Sequence, residues 1–100
     1  MIAIETNRPE YRNDIAEEIR LFLGLTEIVL LEETETVQAE LVFDVQLDNA
    51  GSSYTLSASA GNFFIKDKFD LPNGASALVR KRIEKRRIKL ACYDLLKQLY

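Results

Sequence analysis

The chain has 100 residues, 47% apolar and 29% charged, which suits one soluble globular domain with a real core rather than a disordered segment. One cysteine and no histidine exclude an intramolecular disulfide, a Cys/His zinc site and a histidine-dependent nucleophile system, and also an iron–sulfur cluster, which takes about three or four thiolates. The net charge of −3 conceals a split: residues 1–50 carry twelve acids and three bases, a net of −9, and residues 51–100 carry four acids and ten bases, a net of +6.

Ile2 and Ile4 alternate with other residues and predict a short opening strand. Asn7-Arg8-Pro9-Glu10 then reads as a helix start, because proline fits a first turn and an acid there meets the positive end of the helix dipole. Tyr11, Ile15, Ile19, Phe22 and Leu23 follow at helical spacing, and Gly24 suits a C-terminal cap, so a helix is predicted over Glu10–Leu23. Thr26–Leu31 is apolar on both sides and predicts a covered or central strand. The acidic stretch Glu32-Glu33-Thr34-Glu35-Thr36 lacks the ligand spacing and glycine of a calcium loop and reads as a solvated connection.

Three alternating strands come next. In Glu40–Asp48, Leu41, Phe43, Val45 and Leu47 face one way and the acids and Gln46 the other. A turn at Asp48-Asn49-Ala50-Gly51 leads to Ser53–Ser59, with Tyr54, Leu56 and Ala58 inward. Gly61-Asn62 predicts a tight hairpin into Asn62–Leu71, with Phe63, Ile65 and Phe69 on the apolar side. Gly61-Asn62-Phe63-Phe64 bears some likeness to the aromatic strand of RNA-recognition domains. It lacks the basic residue before the glycine, and no helix separates the third and fourth strands, so Phe63 reads as core and Phe64 as partly covered.

Ser76 predicts the N-cap of a long final helix, whose apolar positions run from Leu78, Val79 and Ile83 into a buried stripe at Ile88, Cys92, Leu95, Leu96 and Leu99. Cys92 on that stripe reads as a buried structural thiol. No stop signal precedes Tyr100, from which a longer parent chain is expected. The order β-α-β-β-β-β-α predicts an α+β domain over residues 1–100, a mostly antiparallel sheet with two helices packed on one face. If its first two strands share that sheet in parallel, their crossover should be right-handed.

Seven bases crowd between Arg80 and Lys89, around most of the final helix. Arg82, Arg86 and Lys89 form one stripe, and Lys81, Lys85 and Lys89 another. Arg82, Lys85, Arg86, Arg87 and Lys89 are the candidate anion- or partner-binding residues. The alternative is a solvated helix whose cations pair with the acidic first half of the chain or with a neighbouring domain. No residue reads as catalytic, cofactor-binding or metal-ligating: the acid pairs Glu17/Glu18 and Asp67/Asp70 have nothing that places them in a pocket. The start lacks the basic and apolar regions of a secretory leader, and no apolar run exceeds Ile28–Leu31, so the expected location is cytoplasmic, with no membrane partner.

Lys85-Arg86-Arg87-Ile88-Lys89-Leu90-Ala91-Cys92-Tyr93-Asp94-Leu95-Leu96 resembles the segment K-R-x-I-K-x-A-x-Y-x-L-L that closes the N-terminal domain of HemZ-type oxygen-independent coproporphyrinogen III oxidases/dehydrogenases, members of the radical-SAM family. The opening strand, the helix ending Ile19-Arg20-Leu21-Phe22 and the strand start Ala39-Glu40-Leu41-Val42 are similar in layout. The resemblance implies a non-catalytic N-terminal accessory domain of a haem-biosynthesis oxidoreductase that converts two propionates of coproporphyrinogen III to vinyls. It also implies a 4Fe-4S cluster and S-adenosylmethionine in a barrel of the same polypeptide, beyond this chain. The implied partners are that barrel and tetrapyrrole carboxylates, which Arg forks bind bidentately. Alternatives are a small stand-alone anion- or nucleic-acid-binding module, the latter opposed by the acidic balance, and a homodimer pairing through Leu95, Leu96 and Leu99.

Overall fold

The computed structural model describes residues 2–24, 30–31 and 40–100. β1 (Ile2–Thr6) leads through a turn of 3-10 helix (Pro9–Tyr11) into α1 (Arg12–Leu23), followed by β2 (Leu30–Leu31), β3 (Leu41–Ala50), β4 (Ser53–Ala60), β5 (Phe63–Asp70) and α2 (Ala77–Leu99). The fold is α+β, as the order of elements predicts. Of the strand expected over Thr26–Leu31, the described residues hold Leu30–Leu31; the rest of it, and the acidic connection Glu32–Thr36, lie outside them.

The sheet runs in the order β2-β1-β3-β4-β5. β1 lies parallel to both β2 and β3, while the long ladders β3–β4 and β4–β5 are antiparallel. The hairpins turn at Gly51 and Gly61, whose φ angles are 67° and 59°. Each glycine is the first of two loop residues, and no other described residue type has a positive φ, which is the pattern of a II′ turn.

Register aligns the apolar rows on one face. Ile4 stands opposite Phe43 and Phe43 opposite Ala60; Val45 meets Ala58, Leu47 meets Leu56, and Tyr54 meets Phe69. All are buried, and α1 and α2 pack over them with Ile15, Ile19, Ile88, Cys92, Leu95 and Leu96. Burying each large side chain contributes roughly 1.5–3 kcal/mol, so this layer accounts for most of the driving force. The opposite face carries Asp44, Gln46 and Asp48 on β3, Thr55, Ser57 and Ser59 on β4, and Lys66 and Lys68 on β5, the polar half of each alternation.

Asn7 latches the end of β1 to β3. Its Oδ1 accepts from the Leu47 N–H at 2.9 Å and its Nδ2 donates to the Leu47 carbonyl at 3.1 Å, continuing the ladder with a side-chain amide. The first helix opens as a 3-10 turn with Pro9 as its first residue, closed by the Tyr11 N–H donating to the Arg8 carbonyl at 2.9 Å; proline fits there because an N–H at that position would have no intrahelical acceptor. Ser76 caps α2 as predicted, its Oγ accepting from the Val79 N–H at 3.3 Å.

Two apolar readings need correction. Phe63 shares the core-facing parity of Ile65 and Phe69, but it stands at the end of β5, beyond full cover, and is exposed; Phe64 points from the open face and is 62% exposed. Leu78 and Val79 are also exposed, in the first turn of α2. The seam expected for self-pairing is spoken for: Leu95 and Leu96 are wholly buried in the domain core and Leu99 packs against it.

Candidate functional site

α2 divides around its circumference. Ile88, Ala91, Cys92, Leu95 and Leu96 face the sheet, which turns most of the basic run outward. Arg82, Lys85, Arg86 and Lys89 come together along an open groove of about 470 Å³, with Glu18 of α1 on one wall and Leu90 and Tyr93 among its apolar lining. Four of the five sequence-predicted residues thus share one surface. Arg87 does not join them. Its Nη1 donates to Asp67 Oδ2 at 3.0 Å and its guanidinium lies 4.9 Å from the Phe69 ring centre, so it ties α2 to β5. Phe69 in turn stacks on Tyr54, with ring centres 5.0 Å apart.

The acidic first half of the chain neutralises part of this surface. Lys85 Nζ lies 3.2 Å from Asp14 and Lys89 Nζ 3.6 Å from Glu18, both acids on the flank of α1. Such half-exposed pairs contribute about 0–1 kcal/mol each, so their main effect is on where charge remains. What remains is Arg82 and Arg86: one helical turn apart, without an ion pair to any described residue. The acid-pairing reading of the basic run therefore describes Lys85, Arg87 and Lys89, and it leaves Arg82 and Arg86 as the cations with which an anion-binding role would have to begin. Tyr93 is fixed edge-on against Phe22 of α1 at 5.7 Å between ring centres, and Lys97 Nζ sits 4.9 Å from its ring centre.

A second constellation lies inside the domain and is not evident from the basic run. Glu84 is 6% exposed. The Tyr11 hydroxyl donates to its Oε1 at 2.6 Å and Arg8 Nη1 donates to the same oxygen at 3.2 Å. Burial raises the pKa of the Tyr11 hydroxyl, and the bonded carboxylate raises it further. Tyr54 is shifted the same way, by burial first and then by Glu84. The arrangement is a saturated polar knot joining the start of the first helix to the middle of α2. It presents no open face for a substrate.

Cys92 is buried, as expected, and burial pushes its thiol up to about 12 from an ordinary 9.0, with Glu18 adding to the shift. At neutral pH it is a protonated apolar side chain. A thiol-reactive disulfide reagent at pH 8 should leave the native protein unlabelled over the time in which the denatured chain reacts fully; rapid stoichiometric labelling of the folded protein would contradict its placement. The unfolded thiol releases its proton near its ordinary value and the folded one only near 12. The folded state therefore binds more protons between those values, and stability falls as pH rises through that window.

Leu90 and Tyr93 were not among the sequence-predicted site residues. Their signal was present, since they break the polar face four and seven residues after Arg86, one and two turns further along the same side of the helix. Among the described residues, no three metal-ligating side chains gather and no helix is long and apolar enough to cross a membrane. No protein-family model and no curated protein matches the chain.

Proposed function

We propose that this chain is the non-catalytic N-terminal domain of a HemZ-type oxygen-independent coproporphyrinogen III dehydrogenase, a cytoplasmic radical-SAM enzyme, and that it works by binding a partner surface. One observation carries the reading. The family-like segment Lys85–Leu96 divides cleanly by role: Ile88, Ala91, Leu95 and Leu96 build the core, while Lys85, Arg86, Lys89 and Tyr93 line the outer groove. An accessory domain needs one helix that both closes its own fold and offers a docking face. In this reading the barrel of the same polypeptide holds the 4Fe-4S cluster and S-adenosylmethionine and carries out the oxidative decarboxylation. No residue here is assigned to either group, since the chain has a single thiol and that thiol is buried. The unneutralised guanidiniums of Arg82 and Arg86 suit carboxylates, which both a protein surface and a tetrapyrrole can provide.

The test is to read the source gene past codon 100. A frame that runs on into a C-x-x-x-C-x-x-C motif, in a protein that binds iron when expressed whole, is the expected result. A stop codon after Tyr100 overturns the reading and leaves a stand-alone binding module built on the same face of α2.

A further inference from the structure

The outermost line of α2 is Val79, Arg82, Arg86, Leu90, Tyr93 and Lys97, spaced three or four residues apart throughout. That spacing keeps them on one side of the helix and matches the repeat of a helix–helix seam. It lies opposite the buried line Ile88, Ala91, Cys92 and Leu95, and no described element covers it. Leu90 is 48% exposed and Tyr93 42%, between the cations rather than scattered among them. At 1.5 Å per residue, Val79 to Lys97 spans about 27 Å, the length of a five-turn helix rather than of a small molecule.

Charge decides what could lie there. Asp14 and Glu18 answer Lys85 and Lys89 on the α1 side, and among the described residues Glu18 is the only carboxylate lining the groove. Arg82 and Arg86 stand without a described acid, one turn apart on the seam. A second copy of the chain laid antiparallel on this seam would bring two more guanidiniums, and among the described residues the acids it could set against them are Glu18 and Asp94, already paired with Lys89 and Lys97, so like-charge repulsion disfavours it. A partner helix with acids one turn apart satisfies both guanidiniums with charge-assisted bonds, and apolar side chains beyond them cover Leu90 and Tyr93.

We propose that the outward seam of α2 is a docking site for an acidic amphipathic helix of a protein partner, with paired carboxylates on Arg82 and Arg86 and an apolar anchor against Leu90 and Tyr93. The proposal rests on the charge and apolar pattern of α2 and not on the identity of a parent enzyme, so the gene test and the binding test can fail separately.

The experiment uses the 100-residue chain and labelled synthetic helices of about 18 residues, the length of the seam. Their contact face carries two glutamates one turn apart and two leucines beyond them, in both chain directions, and binding is read by fluorescence anisotropy. At least one direction should bind, with affinity that falls at least tenfold for R82Q/R86Q and, separately, for L90S/Y93S. All four positions sit on the outer face of α2, and unchanged urea midpoints will show that the fold is intact. Lysine in place of the glutamates should abolish binding. No binding by any acidic helix overturns the proposal. So does affinity indifferent to R82Q/R86Q, equal binding of the lysine peptides, self-association through this face in sedimentation, or a preference for phosphatidylserine vesicles over the peptides.

Discussion

Phe43→Ala is expected to remove about 4 kcal/mol of stability, within the roughly 3–5 kcal/mol that truncating a buried phenylalanine costs. Phe43 is wholly buried on β3, in the register row that also holds Ile4 and Ala60. One of its neighbours across the ladder is an alanine and cannot reach into the space left behind, so the cavity will persist rather than collapse. A domain of this size has about 5–15 kcal/mol in all, and each kcal/mol lost lowers Tm by roughly 4–8 °C. The variant should therefore melt about 20 °C below the parent, close to the limit of folding at growth temperature. Phe64→Ser, on the open face of β5, two strands away, should change stability by less than about 0.5 kcal/mol. Parallel urea titrations measure both. Equal losses at the two positions would mean that the assignment of the two sheet faces is wrong.

The second large effect concerns the polar knot. Arg8→Met leaves the Glu84 carboxylate with the Tyr11 hydroxyl but no countercharge, and is expected to cost about 2–3 kcal/mol. That is below the range for a fully enclosed pair because the Arg8 side chain is 23% exposed, so water shares in the solvation. Glu84→Leu removes the charge but strands the Tyr11 hydroxyl in the interior, at a similar cost of about 2 kcal/mol. The double variant loses both partners together. It should be more stable than the sum of the single losses predicts by at least about 1 kcal/mol. Urea midpoints for the four proteins of this cycle give the coupling directly. Strict additivity would mean that Arg8 and Glu84 do not meet in solution.

These two predictions also mark where sequence reasoning reaches and where it stops. The row that holds Phe43 is legible from alternation alone, because a sheet with one wet face writes its burial into every second residue. The lower half of α2 is equally legible, since Ile88, Cys92, Leu95 and Leu96 recur at helical spacing. Glu84 is not. It stands among seven bases and looks like one more solvated charge; what buries it is Arg8 and Tyr11, more than seventy residues away in sequence. Strand order is hidden for the same reason: nothing local in Ile2–Thr6 indicates that β1 enters between β2 and β3. The candidate site was half visible. Its cations are a run that sequence displays openly, but which of them α1 neutralises, and that Arg87 leaves the group for Asp67, depends on how two helices pack.

The outer edge of β5, unpaired among the described residues, bears on the company the protein keeps. A two-fold axis that joined two such edges into one continuous antiparallel sheet would set some residue of the strand opposite its own copy. Across the middle of β5 that residue is Lys66, Asp67 or Lys68, so every register that uses the centre of the strand begins with a like-charge collision. A strand that opens Phe63-Phe64-Ile65 is rich in β-forming side chains and would otherwise be a template for fibrous growth. Its alternating charges oppose that growth, because each self-pairing centred on the strand must first overcome the repulsion of two like side chains.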